Sequence, residues 1–144
     1  MLRIADRAIA VVLVVVHAGL LGWALAGFAE MAWTDPPWPR ISNPLFSDAM
    51  LFLQWFLVAG AASTFLVGYA GRWPRLPAAM VTWYALMAAL CAWQTFFILE
   101  HPSRFAQMAL EYAEYVTIAI YLHLSPHVRG RLVRTPVQSV SQVT

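Results

Sequence analysis

The segment AIAVVLVVVHAGLLGWALAGFAEM, residues 8–31, decides the fold of this chain. It carries no charged side chain before Glu30, and it exceeds the roughly 20 residues that cross a hydrocarbon core as a helix. Lipid offers backbone groups no hydrogen-bond partner, so a run of this kind must be helical. It is too long for a signal peptide, and Ala29-Glu30-Met31 is a poor cleavage site. We therefore interpret it as a retained transmembrane helix.

Three further apolar runs follow, at residues 47–70, 77–99 and 104–124. Short connectors that contain proline, 71–77 and 100–103, join the last three runs, and a loop stiffened by four prolines, 32–46, joins the first two. The sequence predicts an all-α integral membrane four-helix bundle over residues 1–124, with helices at about 8–31, 47–70, 77–99 and 104–124. The remaining residues, 125–144, are predicted to be a polar basic tail without helical periodicity.

The overall composition agrees with a membrane protein and excludes several other classes. Of the 144 residues, 61% are apolar and 11% are charged, whereas a soluble domain carries about a quarter charged residues. The same figures exclude a disordered chain. Cys91 is the only cysteine, which excludes a disulfide scaffold. The formal net charge of +2 is too small for a nucleic-acid-binding surface.

The arginines predict the orientation. All 9 basic residues are arginine, and two of them, Arg40 and Arg104, lie on the side of the outer loops. The others lie at the opposite side: Arg3, Arg7, Arg72, Arg75, Arg129, Arg131 and Arg134. Cytoplasmic loops carry the excess of basic residues, so we expect both termini to be cytoplasmic. We expect a multi-pass protein of a bacterial-type plasma (inner) membrane.

Two acids in the fourth run are the main candidates for chemistry. Glu111 and Glu114 lie about 12 and 16 Å from the outer end of the helix, at 1.5 Å per residue, and their spacing of three puts them on one face. Ionisable groups at such depth are costly and indicate function. Two acids close together in a dry site do not both ionise, so one stays protonated near neutral pH.

Polar and aromatic groups of the other runs lie at similar depth. Gln54 and Gln94 lie about 10 and 9 Å from the outer ends of their helices. The other candidate ligand-binding residues are Glu30, Glu100, Trp55, Trp93, Tyr115 and His17. Together these residues predict an outward-opening, acid-lined cavity with aromatic walls for a lipophilic small molecule. A neutral carboxylic acid there could protonate an alkene or epoxide, or move a double bond, with Glu111 and Glu114 as the acid pair.

Structural interpretations exist for several of these groups. Gln54 and Gln94 are also typical of hydrogen bonds that join membrane helices. His17 is explained either as a satisfied polar contact or as a proton relay. No metal is predicted, because Glu100, His101 and the two acids lack the spacing of metal ligands. Haem would need histidines on facing helices at similar depth, and His17 has no such partner, so no cofactor is predicted.

The layout resembles the EXPERA-domain family, which includes emopamil-binding sterol isomerases and the sigma-two receptor. The resemblance covers about residues 9–128. It rests on Glu30 before a loop rich in proline and tryptophan, on Asn43-Pro44-Leu45-Phe46 before helix two, and on the segments RWPRLP at 72–77 and TFFILE at 95–100.

Members of that family bind sterol-like or cationic amphiphilic ligands, and some shift a sterol double bond with buried acids and a histidine. The resemblance implies that Glu30, Gln54 and Glu100 are polar cavity residues. It also implies an acid at the position of Gln54. The amide found there cannot exchange a proton, which favours ligand binding over isomerisation.

Two functions of other classes remain open at this point. The chain has the size and the short loops of an accessory subunit in a larger, energy-transducing membrane complex. It could also be a small transporter or proton channel that uses Glu111 and Glu114. The predicted partners are a lipophilic small molecule, membrane lipid, and a second copy or a larger complex.

Overall fold

A computed structural model describes residues 2–33 and 35–132 of the chain. Over these residues the protein is all-helical and contains no strand. The helices are α1 (Leu2–Ala32), α2 (Asp48–Ala70), α3 (Leu76–Phe97), α4 (Arg104–Leu124) and α5 (Pro126–Leu132). The prediction of an all-α protein is confirmed.

Three of the four long helices are long and apolar enough to cross a membrane. They are the segments Ile4–Ala32, Asp48–Ala70 and Leu76–Phe97. The fourth predicted span, α4, is not among them, although it forms over the predicted residues. The difference has a physical cause, because Glu111, Glu114 and other polar side chains lower the mean hydropathy of α4.

The ends of the helices differ from the prediction at two places. First, α1 begins at Leu2 rather than at residue 8. Second, the expectation of no helix after Leu124 is wrong for Pro126–Leu132. Pro126 fits the first helical position, and the Ser125 hydroxyl accepts a hydrogen bond from the Val128 amide at 3.1 Å. The rest of the predicted tail, residues 133–144, lies outside the described residues.

The turn between α2 and α3 shows why the connector there can be short. Arg72 adopts the left-handed conformation, with φ 54°. The Trp73 amide donates to the Gly68 carbonyl at 2.8 Å, and the Arg72 amide donates to the Tyr69 carbonyl at 3.4 Å. This pair of bonds is a Schellman motif, which ends a helix by pairing its last carbonyls.

The long helices pack in chain order, α1 on α2, α2 on α3 and α3 on α4. Two buried clusters lie between them. We use inner for the side where α1 begins and α2 ends, and outer for the side of the loop 32–46, without reference to the compartments. The inner cluster surrounds Phe65 and Met80, and the outer cluster surrounds Trp55, which is 0% exposed. The described residues show no comparable packing between α1 and α4. Those two helices are instead joined at their inner ends, where the Tyr121 hydroxyl donates to Asp6.

Candidate functional site

A cavity of about 270 Å³ lies between the four long helices. Leucine, valine and methionine side chains and Trp23 form most of its wall. The polar groups on the wall are Gln54, Gln94, Cys91, Glu111, Glu114 and Tyr115. No basic residue lines this cavity. Five of the ten predicted site residues therefore come together in one place, and they come from three different helices.

The two predicted catalytic acids lie on the cavity wall in different environments. Glu111 is half-buried, and its Oε2 accepts a hydrogen bond from the Tyr115 hydroxyl at 3.3 Å. Glu114 is exposed at the rim of the cavity. Successive residues of a helix rotate by about 100°, so Glu114 is turned roughly 60° from Glu111, away from α3. The pair is thus made of one inner acid and one rim acid.

The two glutamines form a direct contact across the wall. Gln94 Nε2 on α3 donates to Gln54 Oε1 on α2 at 3.0 Å. This hydrogen bond joins neighbouring helices, as expected for amides in membrane helices. Each amide keeps further polar atoms that a ligand in the cavity can reach, so the joining role and the binding role are compatible.

His17 lies in the inner core rather than on the cavity wall. It is 1% exposed and stacks on Phe65 with ring centres 3.9 Å apart. Its Nδ1 lies 2.7 Å from the Leu13 carbonyl, which can only accept, so Nδ1 is the donor. In the neutral ring Nε2 then accepts from the Tyr84 hydroxyl at 3.1 Å. Both ring nitrogens are satisfied, as in a structural polar contact.

Glu30 and Glu100 also lie away from the cavity wall. Glu30 accepts hydrogen bonds from the backbone amides of Ile41 and Ser42, at 2.9 and 2.8 Å. It therefore fastens the outer loop to the end of α1. Glu100 is an exposed residue of the connector between α3 and α4.

The predicted tryptophans do not line the cavity, but a third one does. Trp55 is buried behind the wall and meets Trp23 edge-on, with ring centres 5.2 Å apart. Trp93 is 54% exposed and lies against a separate apolar groove between α2 and α3. The aromatic side chain of α1 in the cavity is Trp23, which is 45% exposed.

Sequence reasoning missed Trp23 and Cys91 as wall residues. Cys91 precedes Gln94 by three residues, so the two share one helix face. This spacing is a sequence signal that predicts Cys91 on the wall beside Gln94. No sequence signal singled out Trp23 among the four tryptophans within the spans. Its position depends on how α1 is rotated against α2, which the apolar sequence of α1 leaves open.

Two further observations concern metal-binding side chains and the likeness of the chain to known proteins. Among residues 2–33 and 35–132, no group of three or more His, Cys, Asp or Glu side chains could hold a metal ion. Comparison with protein-family models, with curated proteins and with solved structures finds no match. The resemblance to the EXPERA-domain family accordingly stays a prediction from sequence.

Proposed function

We propose that this chain is an integral membrane protein of four membrane-crossing helices whose cavity binds a lipophilic small molecule. The observation that carries the proposal is the composition of the cavity wall. Its apolar side chains suit a hydrocarbon, and its polar atoms come from two glutamines, two glutamates, Tyr115 and Cys91. A concave, mostly apolar site with a few convergent polar groups is typical of a ligand pocket.

The volume favours a small ligand. Sites for drug-sized molecules measure roughly 300–1,000 Å³. At about 270 Å³ the cavity is slightly below that range. A terpenoid-sized molecule, or one end of a larger lipid, suits it better than an entire sterol. The sequence suggests sterol-like or terpenoid-like ligands, and the volume supports a terpenoid-like ligand.

The wall also suits acid/base isomerisation or cyclisation of such a ligand. Glu111 would donate or accept the proton, because its carboxyl group is half-buried and in contact with the Tyr115 hydroxyl. The faces of Trp23 and Tyr115 would stabilise a carbocation, since aromatic rings attract cations. Glu114, at the rim, would orient the polar end of the ligand.

Photolabelling tests the binding proposal. The purified chain in lipid vesicles is irradiated with a diazirine analogue of a prenyl alcohol, and the labelled peptides are identified by mass spectrometry. We expect label on wall residues such as Trp23 and Met87. The double variant Glu111→Gln and Glu114→Gln keeps the shape of the wall but removes both acids, and we expect labelling of the wall to fall severalfold.

Glu100→Gln is the matched control, because Glu100 is an exposed glutamate outside the cavity. Its labelling should equal that of the unaltered chain. Label restricted to outward-facing residues such as Trp93, with the wall unlabelled, would refute the binding proposal. If wall labelling is unchanged in the double variant, binding stands and the role of the acids is refuted.

The proposed orientation places both termini in the cytoplasm, as the arginine distribution predicts. A peptide tag after Thr144 tests it. Antibody should reach the tag after the membrane is permeabilised and not in intact cells. A tag that is accessible in intact cells would reverse the orientation and place the acids in the inner half of the membrane.

Two alternatives stay open as proposals of lower rank, an accessory subunit and a small transporter or proton channel. Stoichiometric co-purification with other chains after gentle solubilisation would favour the accessory subunit. A proton flux in vesicles that is abolished in the double glutamine variant would favour the channel.

A further inference from the structure

The inner end of the molecule carries more basic than acidic side chains. Asp6 is the acidic residue at this end, because the other acids lie on the cavity wall or on the outer side. Within the described residues its carboxylate accepts from two hydroxyls and one backbone amide, so none of its donors is an arginine. The arginines at this end whose side chains the structure describes are Arg7, Arg72, Arg75, Arg129 and Arg131.

The side chain of Arg131, on α5, has surroundings that set it apart from the others. It is half-buried, whereas the other four are exposed. Its guanidinium carbon lies 4.5 Å from the centre of the Tyr69 ring, and its Nε donates to the Tyr69 carbonyl at 3.3 Å. A guanidinium has five N–H donors. The donors on Nη1 and Nη2 have no acceptor among the described residues, so they remain available to a ligand.

Other basic groups meet at the same tyrosine. The Tyr69 carbonyl also accepts from the Arg72 backbone amide at 3.4 Å, so the backbone of Arg72 lies beside the Arg131 side chain. The Tyr69 hydroxyl lies 3.4 Å from Nε2 of His127. We call these four residues, Tyr69, Arg72, His127 and Arg131, the Tyr69 cluster. It joins α5 to the end of α2 and to the connector that follows α2.

The chemistry of the Tyr69 cluster suits a phosphate group. A guanidinium presents parallel N–H donors, which fit two oxygens of one phosphate. The ring of Tyr69 covers one face of the guanidinium, so the orientation of this fork is fixed before a ligand arrives. A half-buried cation without a carboxylate partner is stabilised when an anion pairs with it.

The position of the cluster indicates where such a phosphate comes from. Tyr69 is the last residue but one of α2, which is long and apolar enough to cross a membrane. Lipid headgroups lie just beyond the ends of such helices. The excess of arginine over acid at this end favours a lipid with a net negative charge over a zwitterionic lipid.

We propose that the Tyr69 cluster binds the phosphate group of an anionic phospholipid. Arg131 holds two phosphate oxygens, and Arg72 adds a second positive charge beside it. The bound headgroup links α5 to the connector between α2 and α3. The proposal rests on the proposed membrane crossing of α2, but the site is separate from the cavity, and no residue of the cluster lines the cavity.

Lipid titration followed by native mass spectrometry tests the proposal. The chain in detergent micelles is titrated with phosphatidylglycerol or with phosphatidylcholine of the same acyl chains, and the complexes are counted. We expect tighter binding of phosphatidylglycerol. Arg131→Gln should weaken that binding about tenfold or more, as expected for the loss of hydrogen bonds to a charged group.

Arg7→Gln is the matched control, because it removes the same charge from an exposed arginine at the inner end outside the cluster. We expect it to change binding by about twofold at most. Arg131→Lys keeps the charge but loses the planar fork, and it should weaken binding severalfold. If Arg131→Gln fails to fold, the lysine variant still separates a built phosphate site from a general effect of charge.

Three outcomes would overturn the proposal. Equal affinity for the two lipids would show that the negative charge of the headgroup is not recognised. Equal losses in Arg131→Gln and Arg7→Gln, or full binding in Arg131→Lys, would show a general effect of charge. Displacement of phosphatidylglycerol by inorganic phosphate at a similar concentration would assign the site to a free phosphate. Photolabelling of the cavity wall is measured independently, so ligand binding there and this proposal can fail separately.

Discussion

At the scale of single residues, glycine determines how closely the first two helices approach. Gly27 on α1 lies directly against the buried Trp55 ring of α2, and a Cβ atom there would overlap the ring. Gly22, on the same helix, has open space where its Cβ would lie. The two glycines look alike in the sequence, and the packing distinguishes them.

Gly27→Ala should therefore destabilise the protein. Trp55 is fully buried and cannot move without disturbing the outer cluster, so we expect a loss of about 1–3 kcal/mol from overpacking. Gly22→Ala is the matched control and should be neutral or stabilising, since alanine is the better helix former by about 1 kcal/mol. Thermal unfolding in detergent micelles measures both. Equal midpoints for the two variants would contradict this packing.

The pair of His17 and Tyr84 gives a second prediction at this scale. Tyr84→Phe removes the donor to His17 Nε2 and leaves a buried acceptor unpaired, which costs about 1–3 kcal/mol. The control is Tyr112→Phe, which removes a bond to the Ala88 carbonyl at 2.7 Å. That carbonyl keeps its partner within α3, so the control should lose less. The free energy of unfolding in mixed micelles would show the difference, and a larger loss in the control would refute the assignment.

At the scale of elements, the outer loop is held by one carboxylate. Glu30, at the end of α1, accepts from two consecutive amides of the loop, those of Ile41 and Ser42. The loop contains four prolines, which lack an N–H donor, so it forms little regular structure of its own. The sequence suggested a cavity role for Glu30, whereas the contacts show that it organises this loop.

Glu30→Gln should loosen the loop without unfolding the helices. An amide replaces one accepting oxygen by a donor, so one of the two backbone amides loses its partner, at a cost of about 1–3 kcal/mol. We expect faster proteolysis within residues 35–47 and faster hydrogen exchange at Ile41 and Ser42. Glu100→Gln, an exposed glutamate of the next outer connector, should leave both rates unchanged. Unchanged exchange in Glu30→Gln would show that the carboxylate does not hold the loop.

At the scale of the whole molecule, Asp6 joins the two ends of the described chain. Its carboxylate accepts from the Ser125 hydroxyl at 2.6 Å, the Tyr121 hydroxyl at 2.9 Å and the His127 amide at 3.0 Å. These contacts connect α1 with the end of α4 and with α5. They join α1 to α4 at the inner end of the gap between these two helices.

Asp6→Asn should weaken this connection, because an amide cannot accept at both of its side-chain positions. We expect a loss of about 1–3 kcal/mol and faster tryptic cleavage at Arg129 and Arg131, which lie on α5. Asp35→Asn changes an exposed acid of the outer loop and is the control. Digestion of inside-out vesicles measures the cleavage rate, and equal rates in the two variants would contradict the proposed connection.

The sequence by itself determined the four long helices and much of the polar wall, but not α5. Apolar runs bounded by proline and glycine predict helices because lipid leaves the backbone no alternative. Glu111, Glu114, Gln54 and Gln94 could be found because polar groups are rare in such runs, so each one is visible against an apolar background.

Only the tertiary structure decided which of the candidate residues meet. The sequence makes Glu30, His17 and Trp55 equally suitable as cavity residues. In the structure Glu30 binds the outer loop, His17 contacts Tyr84, and Trp55 packs on Gly27. The rotation of each helix about its axis decides this, and in a membrane helix that is apolar all round, hydropathy gives no preferred face. Packing of particular side chains, such as Trp55 on Gly27, fixes the rotation and therefore brings Trp23 and Cys91 to the cavity.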